Sequence, residues 1–226
     1  MNTLALADDA LIAAQRLAEW CSRGPELEED IALANIALDQ LGTARLLLTH
    51  AGAETGRTED DLAYLRTDRE FRNCLLVELP NGDFAVTMVR LLFLSAYQKL
   101  LYDLLSGHEE IGPIAAKAVK ESAYHLDHAS LWTRRLGDGT EESHRRAQQA
   151  VDDLWPYTHE LFEAPFEGLR EAWLSTVEPV LAEATLARPD DRWHPTGGRS
   201  GLHTEHLSRL LAEMQVLHRA HPGAKW

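Results

Sequence analysis

Lys120-Glu121-Ser122-Ala123-Tyr124-His125 is the stretch whose reading decides the fold. Carboxylate-bridged di-iron helix bundles carry Glu-x-x-His on each of two helices and one further Glu on each of the other two. The i, i+3 spacing sets both ligands side by side on one helix face, aimed into the bundle. Here His125 is in place, but three residues before it stands Ser122, which offers no carboxylate. Glu121 comes one residue too early and is turned roughly 100° away around the helix. That single displacement separates an iron site from the scaffold of one.

The rest of the chain supplies the helices such a bundle needs. A first helix is expected from about Asp8 to Cys21, stopped at Gly24-Pro25, and a second from near Glu26 to about His50, ending at Gly52. The second opens on Glu26, Glu28, Glu29 and Asp30, where negative charge suits the positive end of the helix dipole. A short turn joins the two as an antiparallel hairpin. Residues from about Ala53 to Asp83 break the pattern, with one short helical piece near Glu59–Leu65, and read as a crossover. A third helix, about Phe84 to Ser106, is apolar nearly all round and must be covered on most sides. A fourth follows from about Pro113 to Leu136.

Two antiparallel hairpins joined by one long crossover is the topology of a ferritin-like four-helix bundle. Additional C-terminal helices are expected at about Glu141–Phe162, Leu169–Ala187 and His203–Arg219, with Pro156 and Pro179 kinking or interrupting two of them. The loop from Arg188 to Gly201 carries Trp193 and His194 and is too aromatic for a plain linker. The expectation is one all-α domain over residues 1–226, with no repeat and no second-domain boundary.

A di-iron centre draws four carboxylates and two histidines from four helices. On the second helix, Glu28, Asn35, Asp39 and Gly42 make a polar stripe. The motif position there reads Asp39-Gln40-Leu41-Gly42, a carboxylate followed at i+3 by glycine where histidine is needed. The third helix offers only Asp103 and the first only Glu19, each near its helix end. Each half of the site has therefore lost a different ligand. Asp39, Glu121 and His125, with Lys117, are candidates for a buried ion-pair network in the vacated space, since a buried carboxylate needs a partner. The plainer alternative is polar groups satisfied on partly exposed faces. No catalytic residue and no metal ligand is assigned.

Gly201-Leu202-His203-Thr204-Glu205-His206 is the other place where ligand types gather. His203 and His206 could touch a metal if the segment were helical. The favoured reading is a helix start, with Glu205 at the N-terminal dipole and Leu207, Leu210, Leu211 and Met214 as its buried stripe. Gly-x-Ser-x-Gly, phosphate-binding and dinucleotide fingerprints are absent.

Composition narrows the function classes. Of 226 residues, 36 are acidic and 22 basic, and the formal charge of −14 argues against nucleic acid and anionic membranes. The most apolar run, Leu91–Leu94, lies between Arg90 and Gln98-Lys99 and falls short of a membrane span. Cys21 and Cys74 suit two reduced, buried thiols, and Met1-Asn2-Thr3-Leu4 shows no secretion signal, so a cytoplasmic protein is expected.

Separated blocks then carry a resemblance. Gln15–Cys21, Leu33–Asp39, Leu76–Ala85, Ala116–Glu121 and Gly201–Leu207 occur in order, with Leu211–Gln215, Pro222-Gly223 and Trp226. Over essentially its whole length the chain resembles the ferritin-like subunits of bacterial ring-1,2-phenylacetyl-CoA epoxidase, the multicomponent monooxygenase of phenylacetate degradation, and among them the non-catalytic one. The resemblance implies a homologous catalytic partner with Glu-Glu-x-x-His where this chain has Glu121-Ser122-Ala123-Tyr124-His125. That partner would hold the di-iron centre and phenylacetyl-CoA and insert one oxygen atom from O2 to give the ring epoxide. This chain would hold no cofactor and would pair with it as a heterodimer or higher assembly. A small bridging subunit and an iron–sulfur flavoprotein reductase, fed by NADPH, complete the implied system. The first two helices and the C-terminal segment are the expected pairing surfaces. The alternative is a di-iron oxygenase in its own right, with an altered ligand set of Asp39, Glu121 and His125 with Glu19 or Asp103.

Overall fold

The periodic stretches are helices throughout the computed structural model, which describes residues 2–53, 55–191 and 193–224. Trp226, one of the residues carrying the resemblance, and Met1 lie outside the described residues. Among the described residues there are nine α-helices and no strand. The chain divides into two compact units, residues 1–80 with 196–226 and residues 81–195.

In the first unit, α1 spans Thr3–Ala18 and α2 spans Leu27–Ala53. α1 begins five residues before the expected Asp8, because Asn2 accepts the Ala5 N–H at 3.3 Å and so caps it. The two helices pack along their length as the expected hairpin. Their turn is closed by Asp30, whose carboxylate accepts the N–H groups of Ser22 at 3.1 Å, Arg23 at 3.2 Å and Gly24 at 3.1 Å. The Ser22 and Gly24 bonds foremost hold this carboxyl below its ordinary range. A Cβ on Gly24 would sit 2.8 Å from the Asp30 nitrogen, so the turn requires glycine there. Cys21 lies exposed on this turn, contrary to the expectation of two buried thiols, whereas Cys74 is buried.

The crossover is more ordered than its composition suggests. It holds α3 (Glu59–Tyr64), a 3-10 turn at Asp68–Glu70 and α4 (Leu75–Glu78). Thr58 and Asp61 form a reciprocal capping box on α3.

The second unit starts with α5 (Phe84–Leu105) and α6 (Gly112–Gly137), packed as the other expected hairpin. Asp83 caps α5 by accepting the Val86 N–H at 3.1 Å. Then come α7 (Glu141–Leu154) and α8 (Arg170–Glu183). Pro156 ends the α-helical run, which continues as a 3-10 segment over Trp155–Phe162. Pro179, by contrast, sits inside α8 without interrupting it. An aromatic cluster packs this unit: the Trp155 and Trp173 rings lie 5.4 Å apart, and Phe93 lies 5.6 Å from each. Trp173 Nε1 also donates to the Phe93 carbonyl at 2.9 Å, so burying the indole leaves no orphan donor.

The last helix, α9 (Glu205–Ala220), returns to the first unit. Helices α2 and α5 are both long and apolar enough to cross a membrane by length and mean hydropathy, although neither was expected to be. Burial separates them: 78% of the apolar window is buried in α5 but only 44% in α2.

Candidate functional site

On α6, Ser122 and His125 are both buried, on the face they share with Ala118 and Ala129. The Tyr124 ring meets His125 edge-on, with centroids 6.5 Å apart and planes at 74°. Glu121 is turned off this face and pairs with Lys117 one helical turn away. Its Oε2 is shut from solvent and has no hydrogen-bond partner among the described residues. Half of the expected ion-pair group is therefore a local pair along one helix. On α2, Asp39 and Gly42 stand half-buried, flanking the buried Gln40 and Thr43.

The reserve carboxylates are spoken for or exposed. Glu19 caps the end of α1 and pairs with Arg16 at 2.7 Å, and Asp103 is exposed near the end of α5. Among the described residues no group of three or more His, Cys, Asp or Glu side chains is placed to hold a metal ion. Serine and glycine at the two motif positions do not fit a carboxylate-bridged di-iron centre.

The polar residues that do converge lie in the first unit, and sequence reasoning passed over most of them. Asp8 and Asp9, adjacent on α1, are both buried. Arg66 grips Asp8 with both terminal nitrogens, Nη1 at 2.9 Å, and the Arg72 N–H adds a bond of 2.8 Å. The guanidinium also lies 4.1 Å above the centre of the Phe71 ring. Burial still pushes the Asp8 carboxyl above its ordinary range, against the pull of Arg66. Asp9 accepts a fork from Arg199, at 2.8 and 2.7 Å, and the Cys74 N–H at 2.7 Å.

A third buried carboxylate completes the set. Glu78 accepts from Asn73 Nδ2 at 2.9 Å and from the Thr204 N–H at 2.6 Å. His203 Nδ1 lies 2.7 Å from Glu78, and its Nε2 lies 3.0 Å from the Phe71 carbonyl. Both ring nitrogens therefore face oxygen atoms that can accept. The alternative of a helical His203/His206 pair does not form: Thr204 caps α9, leaving His203 ahead of the helix. The plainer reading of this helix start is borne out, with Leu207, Leu210 and Leu211 buried and Met214 only half-buried.

An open cavity of about 500 Å³ lies nearby, lined by Arg16, Glu19, Cys21, Arg23, His206 and Arg209 among others. Two of its cations are already matched, Arg16 by Glu19 and Arg209 by Glu205. In the second unit Asp191 organises the aromatic loop, accepting from Trp155 Nε1 at 2.8 Å and Arg170 at 2.8 Å and pairing with Arg188. His159 meets it at 3.1 Å and stacks on His194 at 4.6 Å.

Fold and site together define an all-helical protein whose α6 buries a histidine with serine, not a carboxylate, three residues before it. The chain belongs to the phenylacetic acid catabolic protein family, whose model matches residues 2–226. It is 46% identical to the 1,2-phenylacetyl-CoA epoxidase subunit designated C in Escherichia coli (strain K12), over 241 residues covering 99% of this chain and 97% of that protein. The resemblance carried by the separated sequence blocks is thereby borne out.

Proposed function

We infer that this chain is the structural, non-catalytic subunit of a phenylacetyl-CoA 1,2-epoxidase complex in aerobic phenylacetate catabolism. Near full-length similarity to a subunit of the Escherichia coli epoxidase supports its membership of such a complex. The observation that carries the non-catalytic role is Ser122, buried beside His125 where the motif needs a carboxylate. On this reading Asp39, Gly42, Glu121, Ser122 and His125 are the vestige of a di-iron region. The fold is of the ferritin-like class, and the chain holds no cofactor of its own.

Its work is then to fold, and to dock against and stabilise the homologous subunit that carries the di-iron centre. A small bridging subunit and the iron–sulfur flavoprotein reductase are the remaining partners, nucleic acid and membrane are not, and the site of action is the cytoplasm. The test is metal analysis of the purified chain combined with co-purification on a tagged catalytic subunit. A stable complex with substoichiometric iron in this chain is expected. Close to two irons per chain, or epoxidation by the chain alone, would overturn the reading in favour of an oxygenase with an altered ligand set.

A further inference from the structure

Helix α2 buries one face and leaves an apolar one open. Its buried residues include Leu33, Ile36, Ala37, Gln40, Ala44 and Leu47. On the other side Leu27 is 70% exposed, Ile31 54%, Leu38 64% and Leu41 38%. With the half-buried Ala34 these residues recur at steps of four, three, four and three. At 100° per residue they fall within an arc of roughly 80° and run for about 21 Å along the helix. That is the a/d pattern of a seam that receives knobs from a second helix.

We propose that this stripe is the docking seam for a helix of a different, all-helical polypeptide with basic flanks, namely the homologous catalytic subunit; the inference rests on the functional reading above. Charge decides the occupant. The N-terminal end of the stripe is edged by exposed Glu26 and Glu28, in a chain of net charge −14. A second copy would bring the same excess of negative charge to the seam, and an anionic lipid surface would repel it. A partner with basic residues beside its own apolar stripe meets both the shape and the charge.

The test uses the full chain with the double substitution Ile31→Gln and Leu38→Gln. Both side chains are exposed, so the thermal midpoint of the isolated variant should match that of the wild type. Its affinity for the catalytic subunit should fall roughly tenfold or more, as for residues at the centre of an interface. A variant that binds within about twofold of wild type, while the wild type binds well, overturns the seam and leaves the functional reading intact. Wild-type chain that does not bind the catalytic subunit at all overturns both. Self-association of the wild type that the substitutions abolish, or flotation with anionic liposomes that they abolish, assigns the stripe to another occupant and also overturns the inference.

Discussion

His203 Nδ1 lies 2.7 Å from a carboxylate oxygen of Glu78, 125 residues away along the chain, and both side chains are buried. The contact ties the residue just before α9 to the end of α4. It also commits both ring nitrogens of a histidine from the ligand-rich segment, to Glu78 and to the Phe71 carbonyl.

Replacing His203 with Ala removes a hydrogen-bond partner from the buried Glu78 carboxylate. The expected loss is about 1–3 kcal/mol, as for other buried polar groups that lose a partner. The urea midpoint measures it. The double variant Glu78→Gln with His203→Ala should recover part of that loss, because no charge is then stranded. Equal stability of the single and double variants would show that the pair is not coupled.

Arg66 and Arg145 make opposite predictions although each binds a carboxylate with two nitrogens. Arg66→Met strands Asp8 in the core and should lower the thermal midpoint severely, by a loss on the order of 3 kcal/mol or more. Arg145→Met removes an exposed pair and should leave the midpoint nearly unchanged. Comparable midpoint shifts in the two variants would contradict the burial argument.

Asp191 predicts an acid-limb effect. Burial acts to raise its carboxyl, but the Trp155 N–H, Arg170 and Arg188 outweigh that and bring it to about 2. A carboxyl depressed in the folded state stabilises above its unfolded value of 3.8 and loses that contribution as pH falls towards about 2. Asp191→Asn should therefore cost stability at pH 5 and progressively less between pH about 4 and about 2. Denaturant midpoints across that range check it, and a pH-independent difference between variant and wild type would refute it.

The two thiols should differ sharply in reactivity. Cys21 is exposed and Cys74 buried, so a thiol reagent should modify one cysteine quickly and the second only after unfolding. Cys21→Ser should abolish the fast phase. Two fast phases in the folded wild type would contradict the placement of Cys74.

His125→Ala should lower stability or assembly without touching the iron chemistry of the complex. His125 is buried on α6, and truncating it opens a cavity worth roughly 2–4 kcal/mol. Turnover per assembled complex should equal that of wild type. A variant that assembles normally yet loses epoxidase turnover would place His125 in the chemistry.

The helical stretches were largely legible because their signals are local. The first turn of α2 is acidic as expected, Pro113 sits in the first turn of α6, and α5 runs from Phe84 to within one residue of its expected end. Boundaries moved where a cap was overlooked, at Asn2 and at Thr204. Ser122 and His125 share a buried face, as their spacing requires. Asp8 and Asp9 did carry a signal, two carboxylates inside an apolar helix, but nothing nearby in sequence named their cations.

The sequence by itself determined the all-helical class, the two hairpins, the family and the broken motif on α6. Each of these depends on neighbours within a few turns or on residue identities alone. Only the tertiary structure decided which charges are buried and what neutralises them, since Asp9 meets Arg199 across 190 residues and Asp8 meets Arg66 across 58. Such pairs leave no periodic trace, because a buried charge needs an opposite charge in space and not at any particular distance along the chain. Tertiary structure also decided that α5 spends its hydropathy in the core, whereas α2, equally apolar, leaves a stripe of it facing outward.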